Sequence, residues 1–183
     1  FKYIGEQILE LEEKGEENRY LFGFEESYGY LTGTYVRDKD AVVASMLICE
    51  MAAFYKKQGK GLSDVIDELY REYGYYQNTT LNFAFDGASG MQKMAQIMDN
   101  LRVNVPEEIV GLKIIKTEDY FLRKTKDIIT GAETDITLPK SNVIGYSLEG
   151  GSSVIVRPSG TEPKIKLYIT AVGDDKVKAQ SLT

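Results

Sequence analysis

Helical periods of apolar residues mark the first part of the chain. One apolar stripe lies near the start, and a second follows Asp40, a residue type that caps helix N-termini. A third stripe follows Ser63, another capping residue type, and stops at Gly74. The apolar run at 20–22 predicts a buried strand that leads into a loop. The stripes consist of Ile4, Ile8 and Leu11; of Val43, Met46, Leu47, Met51 and Phe54; and of Val65, Ile66, Leu69, Tyr70 and Tyr73.

Short apolar runs, several of them alternating with polar residues, mark the second part of the chain and predict strands. Two of these runs flank a Gly-Gly pair, which predicts a hairpin. One stretch keeps helical spacing and is rich in methionine, which is typical of a helix that faces a core. The predicted strands lie at 81–85, 112–115, 146–148, 154–156 and 165–169, the methionine-rich helix lies at 91–101, and Asp174 or Asp175 is expected to cap a last helix.

This change of pattern predicts two domains. Residues 1–74 are expected to form an α/β fragment. Residues 75–183 are expected to form an α+β domain with a largely antiparallel sheet flanked by helices. Because Phe1 is not a start methionine, we expect the sequence to begin inside a longer protein, within its own first domain.

Composition narrows the function classes. A net charge of -6 makes duplex nucleic acid and anionic membranes poor general partners. No apolar run approaches the roughly 20 residues that span a bilayer. The chain has no histidine, which removes the usual general base and the commonest metal ligand. Cys49 is the single cysteine, so it forms no internal disulfide; we expect it to be a buried small hydrophobe and the protein to be cytoplasmic.

The segment 157–164 combines residues that bind anions. Arg157 offers a planar fork of donors that matches a phosphate. Ser159 and Thr161 supply hydroxyl groups, and Gly160 allows backbone N–H groups to approach an anion. The same residue types are common in turns, so a plain hairpin connection explains the segment equally well on these grounds.

Two further polar segments stand in the first domain. Glu25, Glu26 and Ser27 follow one another in a loop, where a carboxylate and a hydroxyl can bind sugar hydroxyls. Adjacent acids also suit a metal site or acid–base chemistry, and a solvated acidic loop is the simplest explanation. The segment with Arg37 and Lys39 precedes the Asp40 cap and is first of all a charged helix N-terminus.

These segments together resemble the α-D-phosphohexomutase superfamily. The run 157–168 is similar to the phosphate-binding loop of its fourth domain, and 23–29 is similar to the sugar-binding loop of its third domain. In 23–29, Tyr28 follows the serine where the family often has glycine, which is similar to the bacterial phosphoglucomutase branch. The likeness extends to residues 1–5, 37–40 and 138–142 and so covers nearly the whole chain.

The resemblance implies roles for individual residues. Glu25 and Ser27, with Glu26 beside them, would bind sugar hydroxyls. Lys39 would orient the sugar or transfer a proton. The remaining implied residues would bind phosphate: Arg37, Arg157, Ser159, Gly160 and Thr161. Glu162 would brace the loop, because a carboxylate repels phosphate.

The resemblance also implies a fold and a reaction. Residues 1–74 would be an incomplete third domain, and residues 75–183 a C-terminal domain like the TATA-box-binding protein. The whole enzyme would interconvert hexose 1-phosphate and hexose 6-phosphate through a phosphoserine and glucose 1,6-bisphosphate, with Mg²⁺. The family's serine and metal motifs do not occur in this sequence. The chain alone is therefore expected to be inactive, and the N-terminal domains of the longer enzyme are expected to be its contacts.

Two other functions are also compatible with the sequence. One is a non-catalytic module that binds sugar phosphate for regulation. The other is a protein-interaction domain, because tyrosine is common at interfaces and several tyrosines cluster near the predicted domain boundary. These are Tyr70, Tyr73, Tyr75 and Tyr76.

Overall fold

A computed structural model describes residues 1–25, 28–85, 87 and 89–183. The chain forms two compact units, an N-terminal unit of Phe1–Glu68 and a C-terminal unit of Leu69–Thr183. Helix α3, Leu62–Tyr73, contains the point at which the two units divide. The expected domain boundary between residues 74 and 75 stays a prediction.

The N-terminal unit combines helices with a short antiparallel hairpin, in which Gly23 pairs with Leu31 and Glu25 with Gly29. Ile8 and Leu31 are fully buried within this unit. In chain order the unit holds α1 (Lys2–Glu13), a 3-10 turn (Glu17–Arg19), β1 (Gly23–Glu25), β2 (Gly29–Leu31) and α2 (Ala41–Lys56), followed by the start of α3.

Asp40 caps α2, as its sequence position predicts. Its Oδ1 accepts hydrogen bonds from the backbone amides of Val42, at 2.8 Å, and Val43, at 3.1 Å. These bonds satisfy two of the amides that a helix N-terminus leaves without a partner. The cap therefore fixes where α2 begins, directly after Arg37 and Lys39.

Three expectations for the N-terminal unit are wrong. Strand β1 lies at Gly23–Glu25 rather than at 20–22, because its pairing partner is β2 at Gly29–Leu31. Ser63 lies inside α3 and not at its cap. Cys49 is exposed, because it lies on α2, and no residue of this helix is buried.

The C-terminal unit is built on one sheet in which every pairing among the described residues is antiparallel. Together with the flanking helices, this sheet confirms the predicted fold class of the second domain. The strands are β3 (Tyr75–Ala84), β4 (Glu108–Ile109), β5 (Leu112–Asp119), β6 (Lys124–Asp127), β7 (Glu133–Asp135), β8 (Ile144–Leu148), β9 (Ser153–Pro158) and β10 (Lys164–Gly173). The helices are α4 (Gly90–Val103) and α5 (Lys176–Ser181).

The strand order is β3-β10-β9-β8-β5-β6-β7, and β4 pairs with β5. Strands β8 and β9 form the predicted hairpin, with a 3-10 turn at Glu149–Gly151 between them. Asp175 caps α5 by accepting a hydrogen bond from the amide of Lys178 at 2.7 Å. This arrangement places the β9–β10 connection, where the 157–164 segment lies, between the second and third strands counted from the β3 edge of the sheet.

The core of the C-terminal unit lies between α4 and one face of the sheet. Met94 and Met98 of α4 are buried, which confirms that the methionine stripe belongs to the core. Met91, one turn earlier, is 48% exposed. The methionines pack against Ile114, Ile144, Tyr146, Leu148, Val154, Val156 and Ile165.

Candidate functional site

The β1–β2 hairpin positions Glu25, the described acid of the expected sugar loop. Its carboxylate accepts a hydrogen bond from the backbone nitrogen of Phe1, and Gly29 lies opposite it in the strand register. A Cβ at Gly29 would come 3.1 Å from Glu25 Oε2 and 3.2 Å from the Phe1 ring. A larger residue at this position would therefore push the Glu25 carboxylate or the Phe1 ring aside by a few tenths of an ångström. Glu26 and Ser27, the other expected sugar ligands, lie outside the described residues.

Lys39 lies over the ring of the same residue, Phe1. Its Nζ lies 5.3 Å from the centre of the Phe1 ring and 2.9 Å from Asp38 Oδ1. The hydrogen bond from Lys39 lowers the pKa of Asp38, so this carboxyl is charged at neutral pH. Two of the expected site residues, Glu25 and Lys39, thus both contact Phe1 within the N-terminal unit.

Arg37 is held against α1. Its guanidinium forms an ion pair with Glu12 and donates a hydrogen bond to the carbonyl of Thr34 at 2.5 Å. The Arg37 backbone also approaches α1 closely, because a Cβ at Gly5 would lie 3.1 Å from the Arg37 carbonyl oxygen. Arg37 is therefore already engaged within its unit, and it would have to exchange these partners to contact a phosphate.

The connection between β9 and β10 is a tight loop with internal hydrogen bonds. The amide of Ser159 donates to the carbonyl of Lys164 at 2.8 Å. The Ser159 hydroxyl oxygen accepts from the amides of Thr161, at 3.4 Å, and Glu162, at 3.2 Å. A serine oxygen has two acceptor positions and one proton, so the Ser159 hydroxyl is left with a proton to donate. Such a donor suits an anionic oxygen.

The single carboxylate of this loop, Glu162, is paired within the loop. Lys164 Nζ lies 2.5 Å from Glu162 Oε2 and lowers the pKa of Glu162. The pairing is the arrangement expected of a residue that braces the loop. Gly160 is exposed, and a Cβ there would meet no atom within 4 Å. Space beside the Gly160 backbone is therefore open to a ligand.

Lys166 is a residue that sequence reasoning missed. In the register of the sheet it lies directly opposite Arg157 on one side and Asn82 on the other. Opposed residues of antiparallel strands project from the same face with Cβ atoms about 4.5–5.5 Å apart. Two cationic side chains therefore share one face next to the loop. The alternation of β10 places Lys166 on the face opposite the core residue Ile165, but the sequence does not reveal which strand lies beside it.

The 157–164 loop packs against the N-terminus of α4. The amide of Phe85 donates to the carbonyl of Pro163 at 2.8 Å. Gly90, the first residue of α4, is buried, and a Cβ there would lie 2.9 Å from Pro163 Cβ and would also clash with the Phe85 carbonyl. The loop can take its position only because residue 90 has no side chain.

The part of the chain that the structure describes contains no cluster of three or more His, Cys, Asp or Glu side chains that could hold a metal ion. Its helices are also all too short or too polar to cross a membrane. The candidate binding residues lie in two places. The N-terminal unit has an acid–lysine group around Phe1, and the C-terminal unit has a donor-rich loop at 157–164.

Family models match most of the chain. The model described as phosphoglucomutase/phosphomannomutase, alpha/beta/alpha domain III, matches residues 1–73. The model described as phosphoglucomutase/phosphomannomutase, C-terminal domain, matches residues 100–181. Two domain models of one family therefore match this chain in succession.

Proteins of similar sequence are named as phosphoglucomutases. The phosphoglucomutase of Staphylococcus haemolyticus is 41% identical over 170 residues, and that of Staphylococcus aureus strain MSSA476 is 40% identical over 170 residues. Each match covers 93% of this chain and 30% of the relative. The chain thus belongs to the phosphoglucomutase/phosphomannomutase family, and it spans about 30% of the length of these relatives.

A solved structure supports the fold. It is parafusin, an exocytosis-sensitive phosphoprotein and phosphoglucomutase from Paramecium, in its open form. The likeness has a TM-score of 0.60 at 16% identity and covers 97% of this chain and 30% of parafusin. At this identity the comparison speaks for the fold alone.

Proposed function

We propose that the whole protein is a phosphoglucomutase/phosphomannomutase that interconverts hexose 1-phosphate and hexose 6-phosphate. Phosphoryl transfer would pass from a phosphoserine to the sugar phosphate, through glucose 1,6-bisphosphate, and back to the serine. Such chemistry depends on positioning and on neutralising phosphate charge. The role of this chain is to supply the sugar-binding and phosphate-binding loops, as residues 1–74 of domain III and residues 75–183 of the C-terminal domain.

The observation that carries this proposal is the donor arrangement at the end of β9. The Ser159 oxygen already accepts hydrogen bonds from two backbone amides, so its proton would be donated to the phosphate. Arg157 and Lys166 share the adjacent sheet face. With the hydroxyl of Thr161 and the open backbone at Gly160, these groups would hold the phosphate that is not being transferred.

The N-terminal unit would bind the sugar. Glu25, with Ser27 and Glu26, would accept hydrogen bonds from hexose hydroxyls, and Lys39 would orient the sugar or carry a proton. Arg37 would neutralise phosphate charge after release from Glu12. Glu25 and Lys39 both contact Phe1, which supports the proposal that they act on one ligand.

Mg²⁺ belongs to the proposal for the whole enzyme, where it would neutralise charge on the transferred phosphoryl group. The described residues do not fit such an ion, since they form no carboxylate cluster. By resemblance to the family, the metal site and the phosphoserine would belong to other domains of the longer protein, which would also be the partners of this chain. The single cysteine supports a cytoplasmic location.

A chimaera tests the proposal. The chain would replace the matching part of the Staphylococcus haemolyticus phosphoglucomutase, and conversion of glucose 1-phosphate to glucose 6-phosphate would be measured in a coupled assay. We expect turnover by the chimaera, loss of at least about tenfold in kcat/KM with Arg157→Ala, and none by the chain alone. A chimaera that is folded by circular dichroism yet inactive would argue against the proposal, as would turnover by the chain alone.

A further inference from the structure

The tip of the β1–β2 hairpin contains an aromatic residue in an unfavourable backbone conformation. Tyr28 has φ +53°, and the residue is 97% exposed. Positive φ values in this range are adopted readily by glycine, whereas bulky L-residues adopt them rarely and at a cost in free energy. A tyrosine at this position therefore weakens the hairpin relative to glycine.

Among the described residues, Val110 and Arg123 also have positive φ values without being glycine, and both are held by local structure. Arg123, at φ +58°, donates side-chain hydrogen bonds to the carbonyls of Ile136 and Thr137. Val110, at φ +51°, occupies the two-residue turn between β4 and β5, where this conformation is required. The ring of Tyr28 is almost fully exposed to solvent, so packing does not offset its strain.

The remaining aromatic rings of the hairpin have partners. Phe24 and Tyr30 are cross-strand neighbours with ring centres 6.3 Å apart, and Phe22 stacks on both. These three rings belong to the strand face opposite that of Glu25, since side chains alternate along a strand. Tyr28 stands apart from this group, between Glu25 and Gly29 at the turn.

A hexose offers two kinds of surface to a protein. Its hydroxyl groups donate to carboxylates such as Glu25, and its C–H groups form an apolar face. The electron-rich face of an aromatic ring attracts such C–H groups, and ligand sites commonly combine aromatic walls with a few polar groups. A free tyrosine ring beside a sugar-binding carboxylate completes this combination.

We propose that Tyr28 stacks on the apolar face of the hexose and selects cyclic hexose phosphates over acyclic polyol phosphates. The proposal rests on the proposed function of the hairpin as a sugar loop. Strain at φ +53° then has a functional reason, because the left-handed backbone directs the ring away from the hairpin and toward a ligand.

The test compares three forms of the chain: wild type, Tyr28→Gly and Tyr28→Phe. Affinities for glucose 1-phosphate and for glycerol 3-phosphate would be measured by NMR titration. We expect Tyr28→Gly to bind glucose 1-phosphate about threefold to tenfold more weakly, with an unchanged affinity for glycerol 3-phosphate. Tyr28→Phe keeps the ring and should bind like wild type. Thermal unfolding should show no loss of stability in Tyr28→Gly, because glycine relieves the strain.

The possible outcomes separate this proposal from the proposed function. Retained preference for glucose 1-phosphate in Tyr28→Gly would overturn the stacking role, as would a loss of preference in Tyr28→Phe. Wild-type shifts at 157–161 without shifts at Tyr28 would overturn the stacking role alone and leave the phosphate loop standing. A folded wild-type chain that binds neither ligand would overturn both proposals.

Discussion

Arg157 and Lys166 lie directly opposite each other on β9 and β10. Their side chains leave the same face of the sheet, and two cations in cross-strand positions repel each other. An anion bound between them would turn this repulsion into attraction. Bound phosphate should therefore remove a repulsion that slightly destabilises the folded chain without ligand.

Removing either cation should weaken phosphate binding without weakening the fold. We expect Arg157→Ala to lower the affinity for inorganic phosphate about tenfold to a hundredfold, since hydrogen bonds to charged groups are among the strong ones. Lys166→Ala should cost about threefold to tenfold, because a lysine offers a point charge rather than a fork. NMR titration measures both, and Lys126→Ala, at an exposed lysine of β6, is the control. A Lys166→Ala chain with wild-type affinity would exclude this residue from the site.

Gly90 should be needed for the shape of the phosphate loop. Gly90→Ala places a methyl group against Pro163 and the Phe85 carbonyl, so the loop or the start of α4 must move. We expect a loss of phosphate affinity of at least about tenfold, since displacements of about 1 Å are costly at binding sites. The neighbouring Ser89→Ala removes a side chain that makes no capping bond and should change little. Equal phosphate affinity in both variants would contradict the proposed support.

Met98 and Met91 provide a matched pair on α4. Met98 is 1% exposed and Met91 is 48% exposed. Met98→Ala leaves a cavity in the core, and we expect it to lower the free energy of unfolding by about 2–5 kcal/mol. Met91→Ala should change it by no more than about 0.5 kcal/mol. Urea denaturation followed by circular dichroism measures both values. Similar losses in the two variants would show that α4 packs on a different face.

The Asp40 cap should make the stability of α2 depend on pH. Hydrogen bonds from the Tyr35 hydroxyl and from the amides of Val43 and Val42 lower the pKa of Asp40. A carboxyl with a lowered folded pKa stabilises above its unfolded pKa of about 3.9 and loses this contribution as pH falls through the folded pKa.

We therefore expect Asp40→Ala to lower the urea midpoint at pH 7 and to have a smaller effect in acid, below both pKa values. Asp40→Asn retains a capping oxygen that does not titrate, so its midpoint should fall less at pH 7. Helical circular dichroism across the pH range provides the measurement. An equal effect of Asp40→Ala at both ends of the range would mean that the charge of the cap does not contribute.

The sequence predicted the elements that depend on residues close together in the chain, such as helix caps, a helical face and a hairpin. Asp40 and Asp175 cap helices because a short polar side chain can accept from amides two or three residues ahead. Met94 and Met98 are buried because their spacing matches a helical face. The β8–β9 hairpin follows from apolar strands around a pair of glycines.

Features that depend on distant pairing were missed. Strands β6 and β7 are polar along their length, so no apolar alternation marks them. The displacement of β1 from 20–22 to Gly23–Glu25 depends on its register with β2. Lys166 lies beside Arg157 only because β9 and β10 pair in one register, and a shift by one residue would turn it to the other face.

The most direct test of the central claim is an NMR titration of the chain with glucose 1-phosphate, beside inorganic phosphate and the Arg157→Ala variant. We predict weak binding, on the order of millimolar. Both ligands should shift the resonances of 157–161, the sugar phosphate should also shift those of 25–28, and Arg157→Ala should abolish the phosphate-loop shifts. A folded chain without shifts at either loop would contradict the assignment of sugar and phosphate binding to these residues.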